Sequence, residues 1–288
     1  MNNYSCKYFI GVGWFILSLA SSVLNDSIAK YAGNDLHSFQ VAFLRFLFSA
    51  LTLLPFVMYY GARSSRPLVH FCRGLLLFLG MTAWTFGLNI APITSATLIS
   101  FTIPLFTLIL AKFFLSENIT WQRWVATFVG FAGISMVIGI TEEEFTIGSI
   151  IFVVSAFGFA GLDIINKKFI IKETMVSMLF YSALITAVLS FIPAMIYWKS
   201  PTIEQWTLFF IFGCSANLIL FFILKAFALL DATAVAPYRY LELLFSSLAG
   251  YIIFNEVPTK STLYGAAIII PATLFIVYSE NKAKKMNR

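Results

Sequence analysis

The sequence predicts an all-α membrane protein of about ten transmembrane helices, arranged as two inverted five-helix repeats. Three observations carry that prediction: the composition, apolar stretches of spanning length laid almost end to end, and an internal repeat. Hydrophobic residues make up 60% of the 288 and charged residues 11%, against roughly 45–50% and about 25% in soluble domains. No soluble fold could bury that much apolar side chain. In hydrocarbon every backbone amide must be bonded within its own segment, so a crossing takes about 20 apolar residues in helix.

In chain order the spans fall at 9–30, 39–60, 72–90, 93–115, 121–140, 147–166, 174–198, 206–229, 232–254 and 261–279. Short polar joints stop them: GARSSRP at 61–67, SENIT at 116–120, TEEEFT at 141–146, KKFIIKE at 167–173, WKSPT at 198–202 and NEVPTK at 255–260. None of these joints is long enough to form a further domain. The run from Gly74 to Ala111 has no charge and is too long for one crossing. Ala91-Pro92 divides it, because the residue before a proline avoids the helical region. Lys7 followed by an apolar run and Leu19-Ala20-Ser21 imitates a secretory signal. The segment has a counterpart deep in the chain, so it is expected to be retained as the first span. Cys6, Cys72 and Cys214 stand singly and form no disulfide or metal pattern.

The repeat is legible by shifting the chain on itself. A shift of 137 lays Gly11 on Gly148, Asp26 on Asp163 and Lys30 on Lys167; a shift of 139 lays Glu117 on Glu256 and IAPITSATLISF on LLDATAVAPYRY. The expected units are 1–140 and 147–280, followed by a basic tail at 281–288. Five spans per unit force the second unit to insert upside down relative to the first, as in many secondary transporters. With the N-terminus inside, cytoplasmic segments hold Lys7, Arg63, Arg66, Arg73, Lys112, Arg123, Lys167, Lys168, Lys172, Lys282, Lys284, Lys285 and Arg288, and outer segments only Lys30, Lys199 and Lys260. This positive-inside bias places both termini in the cytoplasm of a bacterial inner-membrane protein. It also accounts for the net charge of +6, so no nucleic-acid partner is implied.

Two stretches, FTIPLFTLILAKFFLSENITWQRW and YRYLELLFSSLAGYIIFNEVPTK, each end a span on a Glu-containing turn. With the duplication, they make the chain resemble the EamA-type transporters of the drug/metabolite transporter superfamily over nearly its whole length. The resemblance implies secondary transport of a small metabolite without a cofactor. It leaves the substrate open, since that superfamily moves amino acids, nucleotide sugars, metabolites and drugs. The first half keeps Pro104 after Phe101, whereas the second has Leu243 at that place. More narrowly, GVGWFILSLASSVLNDSIAKYAG and LHSFQVAFLRFLFSALTLLPFVMYYG are similar to the S-adenosylmethionine uptake transporters of obligate intracellular bacteria. That similarity implies uptake of S-adenosylmethionine as the small-molecule substrate, with exchange for S-adenosylhomocysteine as one mode; the wider family leaves a transporter or exporter of amino acids or another metabolite as the alternative.

Charged residues within spans are the first candidates for a site, because each costs roughly 2.5–3.5 kcal/mol at a helix centre. They are Arg45, Lys225 and Arg239, with Asp26, Asp163 and Glu242 as acids. Each has a structural reading as well. Arg239 and Glu242, three apart, could simply pair; Arg45 could snorkel; Asp26 and Asp163 could bridge Lys30 and Lys167 at i, i+4. Trp84, Tyr181, Tyr238 and Tyr240 combine a ring with a polar tip, although interfacial belts collect the same residues. Asn217 stands mid-span and needs a partner, from substrate or from another helix.

S-adenosylmethionine carries a sulfonium, an ammonium, a carboxylate and an adenine. Tyr238, Arg239, Tyr240 and Glu242 offer a matching set within one and a half turns, and an amino acid or nucleotide would find much the same set usable. The fifth and tenth spans carry no candidate ligand, so they are expected to be peripheral supports. His37 and His70 give no metal or proton-relay signal. No paired-acid or His-acid constellation suggests an enzyme, and no phosphate-binding loop suggests an ATP-driven pump. A non-transporting scaffold subunit is the different-class alternative; it would leave the intramembrane charges with no role beyond pairing.

Overall fold

In a computed structural model the described residues are 3–32, 36–90, 99–138, 147–254 and 260–286. They form helices α1 (Asn3–Ala32), α2 (Ser38–Tyr60), α3 (Pro67–Ile90), α4 (Ile103–Phe114), α5 (Trp121–Ile138), α6 (Ile147–Phe169), α7 (Met175–Ile196), α8 (Ile203–Leu229), α9 (Glu242–Phe254) and α10 (Lys260–Met286). Among the described residues there is no strand. The expected break at Ala91-Pro92, the acidic run Glu142 to Glu144 and Glu256 lie outside them.

Local sequence explains the boundaries. Thr202 and Gln205 close a reciprocal capping box at the start of α8, and Thr174 accepts from the Ser177 amide at the start of α7. Pro67 opens α3, where its missing N–H costs nothing. Pro55 and Pro193 sit inside α2 and α7 at positions equivalent in the two halves.

The expected span at 232–254 is not one α-helix. A single helical turn, Ala232–Val235, leads into a 3₁₀ segment, Ala236–Leu241, before α9 begins at Glu242. Pro237 is the reason: it cannot donate to the carbonyl four residues back and its ring crowds that turn. The tighter 3₁₀ winding accommodates it. Arg239 rides on this irregular segment.

Packing has the symmetry of the duplication. Exchange each helix for its counterpart, α1 with α6 through α5 with α10. The α1–α8 contact becomes α6–α3, α2–α8 becomes α7–α3, and α4–α6 becomes α9–α1, while α2–α7 and α5–α10 map onto themselves. Every one of these contacts is present. The α2–α8 approach is backbone to backbone: a Cβ added at Gly213 would come within 2.6 Å of the Phe48 carbonyl carbon and the Ser49 nitrogen. Only glycine permits that spacing.

The interior mixes polar with apolar side chains, while the exterior is largely apolar. Ser18, Asn25, Ser49, Ser155, Ser182 and Thr186 are buried, whereas Met58, Ile171, Ile192 and Ile203 are exposed. Polar groups drawn inward and an apolar outer face are stable when the surroundings are hydrocarbon. Six of the described helices, α1, α2, α3, α6, α7 and α8, are long and apolar enough to cross a membrane, with shorter apolar stretches at Ile103–Phe114 and Leu263–Phe275.

Candidate substrate cavity

A cavity of about 700 Å³ lies between the two halves, within the usual range for small-molecule sites. Its walls come from α1–α4, α6–α9 and the 3₁₀ segment; among the described residues none comes from α5 or α10, which pack on each other. Equivalent positions of the repeat both line it: Asp26 and Asp163, Arg45 and Ser182, Ser100 and Arg239. The scaffold is duplicated, but the chemistry on it is not.

Seven of the sequence candidates line the cavity: Asp26, Arg45, Trp84, Asp163, Asn217, Arg239 and Glu242. Arg239 is held by Asp163, with Nη2 donating to Oδ2 at 2.7 Å. The expected Arg239–Glu242 pairing is therefore replaced by a bond across elements, because the 3₁₀ winding turns Arg239 towards α6. The Asp163–Lys167 bridge does not form either. Lys167 instead donates to the carbonyls of Phe227 at 2.8 Å and Leu230 at 2.6 Å, capping the end of α8.

Asp26 is exposed, in contrast to Asp163, which is buried. Arg45 does not snorkel to an interface. It lines the cavity with its guanidinium 5.0 Å from the Phe212 ring and 5.4 Å from the Phe46 ring. Asn217 does both things expected of it, facing the cavity while bonding to α2 through Ser49 and, at 3.0 Å, the Thr52 hydroxyl. Trp84 packs against Phe152 at 5.2 Å between centroids.

Four candidates lie outside the lining. Tyr238 is buried with its hydroxyl 2.9 Å from that of Tyr8. Tyr240 packs its ring against Phe101 and over Gly130. Tyr181 donates to the Ala62 carbonyl at 2.8 Å, and Lys225 lies 5.4 Å from the Phe221 ring. These tyrosines hold helices together. Alternate residues of a 3₁₀ turn face different neighbours, so the cluster Tyr238-Arg239-Tyr240 divides, with only Arg239 reaching the cavity.

Sequence reasoning missed Arg73 and Asn166, which line one end of the cavity and bond to each other. Counting Arg73 with the cytoplasmic residues hides that α3 starts at Pro67 and carries Arg73 into the bundle. The proline at 67 is the signal that could have found it.

Beyond that end, the halves are joined by polar contacts. Glu117 accepts from the amides of Ala232 and Thr233 at 2.9 and 3.1 Å and from the Thr233 hydroxyl at 2.6 Å. Arg123 bonds Thr233 at 2.6 Å and Asp231 at 3.3 Å, and His70 meets Glu173 at 3.4 Å.

A cavity with charged groups set in a largely apolar lining, between two similarly packed halves inside an apolar shell, is an arrangement suited to a membrane carrier. The chain belongs to the EamA-like transporter family, whose model matches residues 9–139 and 146–278. It is thus a multi-pass membrane protein of a transporter family rather than an enzyme. It is 62% identical to an S-adenosylmethionine uptake transporter of Rickettsia bellii (strain RML369-C), over 98% of both chains. Against the S-adenosylmethionine uptake transporter of Rickettsia prowazekii (strain Madrid E) it is 57% identical, covering 98% of this chain and 97% of the other. Similarity to a riboflavin transporter of Vibrio cholerae is 28% over 96% of each. A crystal structure of another protein matches with a TM-score of 0.80 at 17% identity, over 98% of this chain and 99% of that one; this shows the fold.

Proposed function

We propose that this chain is a secondary transporter taking up S-adenosylmethionine across the bacterial inner membrane. Both termini are cytoplasmic, and the five-helix repeats at 1–140 and 147–280 are related by inversion, with 281–288 a basic tail. The observation that carries the reading is the central cavity and its mixed charge: acids at Asp26, Asp163 and Glu242, bases at Arg45 and Arg239, and an indole at Trp84. The names of the Rickettsia relatives supply the substrate.

The chemistry suits a ligand bearing two cations, a carboxylate and an aromatic base. Asp26 is exposed, and Glu242 engages no base among the described ion pairs; both are available to the ammonium and sulfonium. A ring such as Trp84 adds about 0.5–2 kcal/mol for a cation over its face and can stack on adenine. The two halves rock about this site, with α5 and α10 as supports outside it.

Uptake of labelled S-adenosylmethionine into cells expressing the chain tests this. The expected result is saturable uptake, competed by S-adenosylhomocysteine and not by single amino acids or riboflavin. No uptake, or full competition by an amino acid, overturns it. Reporters fused after Arg66 and after Glu143 should report cytoplasm and periplasm; both on one side overturns the inversion.

A further inference from the structure

The geometry points to Arg73 as the anion anchor of the cavity, a buried guanidinium that takes the carboxylate of the substrate. This rests on the proposed transport of S-adenosylmethionine and names the contact that would recognise its amino-acid end.

Three guanidiniums line the cavity, and they are not equivalent. Arg239 is neutralised by Asp163 at 2.7 Å. Arg45 makes no ion pair among the described residues and has its Nε buried without a partner, but it lies over the rings of Phe46 and Phe212 and feels the charge of Asp26, which is exposed. Arg73 has 0% exposure and makes no ion pair among the described residues. It feels the charge of Glu173 as Arg45 feels that of Asp26, but Glu173 bonds to His70 at 3.4 Å and reaches Ser65 at 3.5 Å, so among the described residues no carboxylate contacts the guanidinium.

Neutral partners fix its orientation. Nε donates to the Asn166 amide oxygen at 2.8 Å and Nη1 to the Met178 carbonyl at 2.8 Å, while Nη2 is buried with no hydrogen-bond partner. An unpaired buried cation with an unused donor is costly unless an anion completes it. A guanidinium locked by two other bonds presents that donor with little ordering left to do. Asn166 itself lines the cavity, so the fixed face of Arg73 borders the space a ligand would occupy. Arg73 joins α3 of the first half to α6 and α7 of the second, so a carboxylate there touches the junction of the two halves.

The test uses purified full-length protein and two ligands, S-adenosylmethionine and its decarboxylated analogue, which keeps the sulfonium, ammonium and adenine. Wild-type protein should prefer the carboxylate-bearing ligand by about tenfold or more, the size of one hydrogen bond to a charged group. Arg73→Gln should lose that preference, binding the analogue as wild type does and S-adenosylmethionine about tenfold more weakly. Arg73→Lys, which keeps the charge and fills the site if the glutamine variant fails to fold, should retain part of the preference. Equal weakening of both ligands by either variant assigns Arg73 a structural role only and overturns the proposal. So does a wild-type protein that binds the two ligands alike. Wild-type protein that binds neither ligand overturns the transport reading instead, an outcome distinct from the other two.

Discussion

Asp26 and Asp163 occupy the same place in the two halves, and they live differently. Asp163 is buried and tied to Arg239 at 2.7 Å; Asp26 is exposed and makes no ion pair among the described residues. The position equivalent to Arg239 in the first half is Ser100, which also borders the cavity. Duplication therefore delivers two acids at matching depth, and loss of symmetry at their partners gives one a structural role and leaves the other free for a ligand. A carrier needs this combination. A symmetric frame gives its two halves matching interfaces, while a substrate with unlike ends needs an asymmetric lining.

The largest expected effect comes from breaking the paired acid. Asp163→Asn or Arg239→Met strands the opposite charge and should cost about 3–5 kcal/mol, read as lost membrane abundance and a lower melting temperature. Combining Asp163→Leu with Arg239→Met should restore abundance. Arg239→Met with Glu242→Leu should not, because Glu242 is not the partner. Rescue by the Glu242 double variant would sink the assignment.

Next in size is the unpaired acid. Asp26→Asn should leave abundance near wild type and weaken uptake of a dicationic substrate about tenfold, as expected for one charge-assisted contact. A fall in abundance as large as that of Asp163→Asn would erase the contrast between the halves.

The smallest expected effect sharpens the geometry. Arg239→Lys keeps the charge facing Asp163 but loses the planar fork, so it should lower the melting temperature by a shift worth about 1 kcal/mol. An effect as large as Arg239→Met would mean that the fork, and not the charge, holds α6 to the 3₁₀ segment.

Much of the architecture was legible because it follows from local rules. Apolar runs and polar joints located the helices, although α1 and α3 begin earlier and α10 ends later than expected because polar and charged residues continue the helix past the apolar run, and Asp26 on Asp163 announced the repeat. The ninth span was misjudged because Pro237 was passed over. The divided tyrosine cluster then followed, since residues assumed to share a helical face were wound as 3₁₀. Partner choice was the other gap. Arg239 lies near Glu242 in sequence, and only the approach of α6 reveals that Asp163 competes for it successfully. Arg73 escaped because a charge beside a polar joint counts towards topology until the start of its helix is known.

The sequence by itself determined the class of protein: hydrocarbon demands internally bonded helices of spanning length, and a chain that is 60% hydrophobic with a half-length repeat meets that demand in few ways. Only the tertiary structure decided which charges pair, which face the cavity and which cations keep an unused donor. Those outcomes depend on distances of a few ångströms between segments up to a hundred or more residues apart, such as Arg73 beside Met178. Coulomb and hydrogen-bond energies in a poorly solvated interior change sharply over that range.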